Sequence, residues 1–459
     1  MSAAKVLISC TTCGYHASQW LGRCPQCGAW DSFARQAPAP HPASTVAPVG
    51  APPVALAEVA AADHPRLETG IAELDRVLGG GLVRGSVALL AGEPGAGKST
   101  LALQAAAGLE RAGARTLLVC GEESVGQVAA RARRLGGIAT TQALAATDLA
   151  TIQSHAAGYD VLIIDSIQTL SDAGLGGEPG SVTQVRGCAS AVARQARESG
   201  IALLLVGHVT KDGAIAGPRV LEHLVDVVCT FEGDRGHSLR MLRATKNRFG
   251  GTAELGVFEM KAQGLVGVAD ASRLFLAERH AGVPGSTVGC VLEGRRPMAI
   301  EVQALVASPN GHSKDAPRGL RRRIADGLAR DRLEVCAAVL ERHAGILFGA
   351  RDLFARIAGG FNTSEPAIDL PLALALASSA LGVPVPPDVV AIGEVGLSGD
   401  VRSVPGLAVR LQECARLGFQ IAVAGRSAAG ILGKQQLRVV AISHLSEAVS
   451  LLSQDRPGP

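Results

Sequence analysis

Between the apolar run Val87–Ala91 and a helical pattern over Thr100–Ala112 lies the octet Gly92, Glu93, Pro94, Gly95, Ala96, Gly97, Lys98 and Ser99. It satisfies GxxxxGK[ST] at every defined position, in the strand–loop–helix setting that gives the pattern its meaning. Glycines let the backbone wrap an anion, and the helix that Thr100 opens adds its positive end. The pattern assigns Lys98 to the β/γ-phosphates of ATP or ADP and the Ser99 hydroxyl to Mg²⁺.

The runs VALLA, TLLVC, VLIID and IALLLV are short and apolar throughout, with helical patterns between them. Such runs are strands covered on both faces, so a mostly parallel sheet flanked by helices is expected over Leu67–Asp270. Their carboxyl ends carry polar groups. Asp165 closes VLIID where a second Mg²⁺ ligand belongs; the plainer reading is a helix cap. Glu122 and Glu123 follow TLLVC-Gly121; one would polarise the attacking water and the other cap the next helix, with Glu122 chosen as the base. His208 ends IALLLVGH on the phosphate side, as a γ-phosphate sensor or simply a satisfied polar residue. Lys246 and Arg248, in KNRFG, form a compact basic turn, suited also to reaching a neighbouring subunit's nucleotide.

At the amino end, Cys10 and Cys13, then Cys24 and Cys27, form two CxxC pairs, each followed by glycine. Two such turns aim four thiolates at one point, so a structural zinc knuckle is expected over 1–33. The other six cysteines fall mostly in apolar runs and are read as core residues. Residues 34–65, rich in Pro and Ala, are expected to be a flexible tether. From Ala271 the pattern is again α/β: STVGCVLEG and PMAIEVQALV are expected strands, Arg330–His343 and DLPLALALASS helices, and IAVAG a late strand. The net charge of +3 favours no nucleic-acid surface spread over the whole chain. No apolar run approaches the ~20 residues of a membrane span, and MSAAKVLISC does not read as a signal peptide, so a cytoplasmic location with no membrane partner is expected.

The set CxxC…CxxC, GEPGAGKST, GEES, GHVTKDGAIAGPRVLEH, KNRFG and GEVGLSGDVRSV closely resembles the bacterial RadA (Sms) family, over nearly the whole chain outside the tether. The resemblance implies a RecA-like ATPase core at 66–270 that assembles as a homo-oligomeric ring, a hexamer, with Lys246 and Arg248 acting across the subunit interface. It implies binding of single-stranded and branched DNA, and branch migration of recombination intermediates made with the RecA recombinase. By the same similarity the loops Ser171–Gly180 and Lys211–Pro218 face the ring channel as mobile DNA-contacting segments, with Lys211 and Arg219 as phosphate contacts.

Residues 271–459 look like the proteolytic domain of Lon-type proteases. In this similarity Asp369 stands in the nucleophile's place and Arg410 in that of the lysine. Arginine cannot shed its proton to serve as a base, so the alternative reading, an ATP-dependent protease related to Lon, loses its dyad. Arg318, Arg321, Arg322 and Arg323 are a candidate DNA surface or a solvated basic loop. A third reading, in which nucleotide only gates assembly, is opposed by the intact set Lys98, Ser99, Glu122 and Asp165.

Overall fold

The computed structural model describes residues 65–136, 141–208, 221–233, 239–307, 322–349, 351–427 and 437–453, together with parts of 7–36. Lys211, Arg219, Cys13, Arg318 and Arg321, and the tether from residue 37 to residue 64, lie outside the described residues, as does the side chain of Cys10. Contacts divide the chain into two compact units, Met1–Asp63 and His64–Pro459.

In the first unit, Leu7–Cys10 is the central strand of an antiparallel trio with His16–Ala17 and Phe33–Gln36. Ala34 to Gln36 are thus paired strand, not tether, and the expected boundary after Phe33 shifts by three residues.

In the second unit, nine strands among the described residues make one sheet. Val227–Glu232, Val87–Gly92, Ala202–His208, Val161–Asp165, Thr116–Cys120 and Gln142–Ala145 run parallel, in that order. Leu239–Asn247, Leu255–Lys261 and Gly264–Gly267 extend it antiparallel beyond Val227–Glu232. The apolar runs are uninterrupted because both faces are covered. Ala88 and Leu90 pack with Leu101, Ala105 and Leu109 of the helix Lys98–Arg111. Val87, Leu89 and Ala91 pack with Val185, Cys188 and Val192 of the helix Val182–Ser199.

A second sheet, seven-stranded among the described residues, runs Arg323–Asp326, Asp352–Ile357, Arg296–Ala307, Ser286–Glu293, Val389–Ile392, Ile421–Gly425 and Arg438–Ile442. Against it lies the helix Asp369–Leu381, buried from Asp369 to Ser378. Apolar side chains all round its axis are what a helix enclosed on every side requires. Pro371 is tolerated in its first turn. The six cysteines beyond the knuckle are all buried. No described helix is long and apolar enough to cross a membrane.

The two sheets are not separate bodies. Leu255 and Val257 of the first belong to the core of the second. The buried Glu73 carboxylate pairs with the buried Arg296 guanidinium and accepts the Val257 N–H at 2.9 Å. Arg296 also donates to the carbonyls of Val268 and Ala269 at 2.7 and 2.8 Å. Removing one member of such a pair strands the other charge in a poorly solvated place. Glu73→Ala is therefore expected to cost about 3–5 kcal/mol, read by urea denaturation; an unchanged midpoint would show that the pair contributes nothing.

Candidate active site

Register aligns the carboxyl ends of four parallel strands. His208 lies beside Gly92, Val206 beside Asp165, and Asp165 beside Cys120, which leads directly to Glu122. In a sheet of this kind ligands bind outside these strand ends.

The phosphate loop turns between the strand Val87–Gly92 and the helix Lys98–Arg111, which starts two residues earlier than its sequence pattern suggests. Gly97 has φ 110°, and a Cβ there would sit 2.8 Å from the Met260 methyl, so both conformation and space demand glycine. Lys98 is buried and donates to the carbonyls of Gly92 and Glu93, each at 2.9 Å, and to His208 Nδ1 at 3.1 Å. A lysine only donates, so His208 accepts through Nδ1 and donates through Nε2 to Glu122, 2.9 Å away. Burial lowers the Lys98 pKa, while Asp165 and Glu122 pull it back up.

Glu122 also accepts the hydroxyl of fully buried Ser166. Burial raises its carboxyl, but the bonds from Ser166 and His208 and the charge of Lys98 outweigh that and hold it below the usual range. Glu123 does not cap the next helix. Ser124 does, through a reciprocal box with Gln127, and Glu123 pairs instead with Arg131. Asp165 does not cap either; the short helix after it starts from Ser166 without a side-chain cap. Burial raises the Asp165 carboxyl against a lowering bond from Ser99, and its Oδ1 is buried with no partner. The Ser99 hydroxyl beside an unpartnered, buried carboxylate oxygen is a donor set that fits Mg²⁺.

Lys246 and Arg248 are nowhere near this edge in their own chain. Lys246 pairs with Val228 and Asn247 with Val227, which lies level with Ala88, whereas Phe231 lies level with Gly92. Three residues of strand, about 10 Å, separate the levels of Lys246 and the loop. Lys246 donates to the carbonyls of Glu222 and Val225 at 2.6 and 2.7 Å. Exposed Arg248 is held at 3.1 Å by Asp226, a buried carboxylate that also accepts the Val87 N–H at 3.0 Å.

The loop Ser171–Gly180 is tied down rather than loose. Buried Gln184 donates to the carbonyls of Asp172, Leu175 and Gly177 at 3.1, 3.0 and 3.2 Å. The loop carries Asp172 and Glu178 and no cation, so it offers DNA phosphates no attractive charge.

In the second sheet region, Asp369 is claimed by Arg332 and the Val395 N–H. Arg410, 1% exposed, is paired with Glu365 and donates to the carbonyls of Cys290 and Pro405. Each residue has its own partners, and together they form no nucleophile–base dyad.

At the second CxxC, the Gly28 N–H bonds the Cys24 carbonyl and the Cys24 N–H bonds the Ala29 carbonyl, both at 2.9 Å, with Gly28 at φ 76°. This tight turn, with a thiol at each end, fits one half of a metal knuckle.

Residues 9–35 match the rubredoxin metal-binding domain and residues 67–154 match the KaiC ATPase family. The chain is 44% identical to the DNA repair protein RadA of Brucella abortus over 472 aligned residues, covering all of both chains. It is 44% identical to that of Pseudomonas aeruginosa, covering 98% of this chain and 100% of the relative. For Bacillus subtilis the identity is 40%, covering 98% and 99%. The chain belongs to the RadA family of DNA repair proteins. As a RadA-family chain with a KaiC-type core it is an ATP-hydrolysing enzyme of the RecA-like class, carrying a rubredoxin-like metal ribbon.

Sequence reading missed Ser166 and Asp226, whose partners Glu122 and Val87 lie far along the chain, and Gln184, whose nearer carbonyl partners no local pattern marks. For this RadA-family site, Glu122→Gln is expected to lower turnover by about 10²–10⁴-fold with nucleotide binding retained. Because the Glu122 carboxyl lies below its ordinary 4.5, its ionised form persists at neutral pH and is lost only as pH falls below that value. Unchanged turnover in Glu122→Gln, measured by phosphate release, would remove it from the chemistry.

Proposed function

We propose that this chain is a DNA-stimulated ATPase of recombinational repair. It works as a homo-oligomeric ring, a hexamer, that binds single-stranded and branched DNA and promotes branch migration of intermediates made with the RecA recombinase. The observation that carries this reading is the separation of Lys246 and Arg248 from their own phosphate loop, toward the opposite end of the strands. Cations so placed serve a nucleotide only across an interface between protomers, and the basic turn also suits DNA phosphates.

Within one pocket, Gly92–Gly97 and Thr100 wrap the phosphates and Lys98 leaves its loop carbonyls for the β/γ-oxygens. Ser99 and Asp165 would hold Mg²⁺, which would supply neutralisation of the phosphate charge. Glu122, oriented by Ser166, takes the proton of the attacking water, and His208, bonded to both Lys98 and Glu122, senses the γ-phosphate between them. Lys246 and Arg248 of the next protomer stabilise the charge that develops.

Cys10, Cys13, Cys24 and Cys27 would bind one structural zinc ion, which folds a ribbon too small to have a core of its own. Lys211 and Arg219 would position DNA through its phosphates. We read the chain as knuckle, tether, ATPase core to residue 270 and a Lon-protease-like region from 271 that acts as scaffold. Peptidase activity is not expected, since Arg410 is enclosed by its partners. The cytoplasm is the compartment that suits these partners.

The test is ATP turnover with and without single-stranded and forked DNA. DNA is expected to raise the rate of the parent chain, and Lys246→Ala to abolish that stimulation while ADP binding persists. Turnover indifferent to every DNA would end the motor reading.

A further inference from the structure

An anion cradle made of backbone must present N–H groups inward and keep every carbonyl turned away. Here each loop carbonyl with a described bond has a named partner. Lys98 takes those of Gly92 and Glu93, the Ala96 N–H also reaches that of Glu93, and the Leu101 N–H takes that of Gly97. The carbonyl of Ala96 is taken by a residue from far along the chain: Arg240 donates to it through Nε at 3.2 Å.

Arg240 lies at the start of the strand Leu239–Asn247 and is buried. Its Nη1 donates to its own neighbour's carbonyl, Leu239, at 2.8 Å. Its stem crosses Gly233 so closely that a Cβ there would come within 2.2 Å of Arg240 Cδ. The guanidinium is thus led to the back of the phosphate loop along a path shaped for it.

We infer that Arg240 is a positioning residue for nucleotide: by holding the Ala96 carbonyl from behind, it turns the Gly97 N–H toward the phosphates. The Ala96–Gly97 peptide is trans, so its C=O and N–H point in opposite directions, and fixing one fixes the other. Lys98 gives up its loop carbonyls when phosphate arrives, whereas Arg240 sits behind the loop and keeps its bond in both states. This rests on the reading of Gly92–Ser99 as an ATP site and extends it to a residue outside the motif. The same strand ends in Lys246 and Asn247, so the clamp on one protomer's loop and the cation offered to its neighbour share one strand.

The probe is a fluorescent ADP analogue, titrated into the full-length chain, beside steady-state ATP hydrolysis. Arg240→Met keeps the stem and removes the donor. It is expected to weaken ADP binding and raise KM for ATP about tenfold or more, with kcat within about twofold, the effect of one lost charge-assisted bond. Arg240→Lys restores a donor and is expected to recover most of the affinity. Gly233→Ala, whose Cβ would crowd Arg240 at Cδ and at the donating Nε, is expected to shift KM in the same direction. A folded Arg240→Met that binds ADP like the parent overturns the assignment. If that variant loses its thermal transition, Arg240→Lys and Gly233→Ala decide by the same titration, and parent-like affinity in Gly233→Ala overturns it. A parent chain that binds no ADP overturns the ATP site itself, a distinct result.

Discussion

One imidazole joins the two halves of the chemistry. His208 bonds Lys98, which we assign to the phosphates, and Glu122, which we assign to the water. A buried lysine and a part-buried glutamate would each be costly alone. Linked through a ring that accepts from one and donates to the other, they are both satisfied before any ligand arrives. The linkage depends on register: His208, Gly92 and Asp165 reach the same edge only because their strands run parallel and in phase. In the proposed reading a phosphate entering the loop would compete with His208 for Lys98, so occupancy of one half would be felt by the other.

The opposite edge of the same sheet carries the KNRFG turn, held by Asp226 and by the carbonyls of Glu222 and Val225. A rigid sheet with a pocket on one edge and cations on the other is suited to head-to-tail assembly, in which each protomer completes the next. Asp226 also accepts the Val87 N–H at the start of the phosphate-loop strand, so the turn is anchored to the strand that positions its own pocket. Arg243, between Arg240 and Lys246, pairs with Glu293 of the second sheet region. Together with the Glu73–Arg296 pair, this ties the carboxyl-terminal region to the sheet that carries the phosphate loop.

Much of this was legible in the residues, and the reason is locality. The phosphate loop, the Asp165 strand end and the helix Arg330–His343 are each specified by neighbours a few positions away, and the structure places them where the patterns indicate. What was not legible depends on pairing between segments or on a choice among side-chain partners that no periodicity encodes. Strand Phe33–Gln36 exists because it pairs with Leu7–Cys10, and its Ala- and Gln-containing sequence carries no period of its own. Glu123 had two local options, and a long-range attraction was not what decided between them: Ser124, one residue on, makes the better cap and frees Glu123 for Arg131. Gln184 stiffens a Gly-rich loop that composition alone marks as mobile. Arg410 stands where a catalytic lysine would be, yet its exclusion from chemistry is physical, since carbonyls and Glu365 surround it.

The central claim is that a nucleotide in one pocket is split with help from the neighbour's Lys246 and Arg248. The most direct measurement mixes two defective chains. One carries Lys98→Ala, with a dead pocket and an intact turn; the other carries Arg248→Ala, with an intact pocket and a defective turn. Each alone should hydrolyse ATP poorly, whereas co-expressed and co-purified mixtures should regain turnover, because intact pockets then meet intact turns. Mixtures no more active than either chain alone would contradict the account.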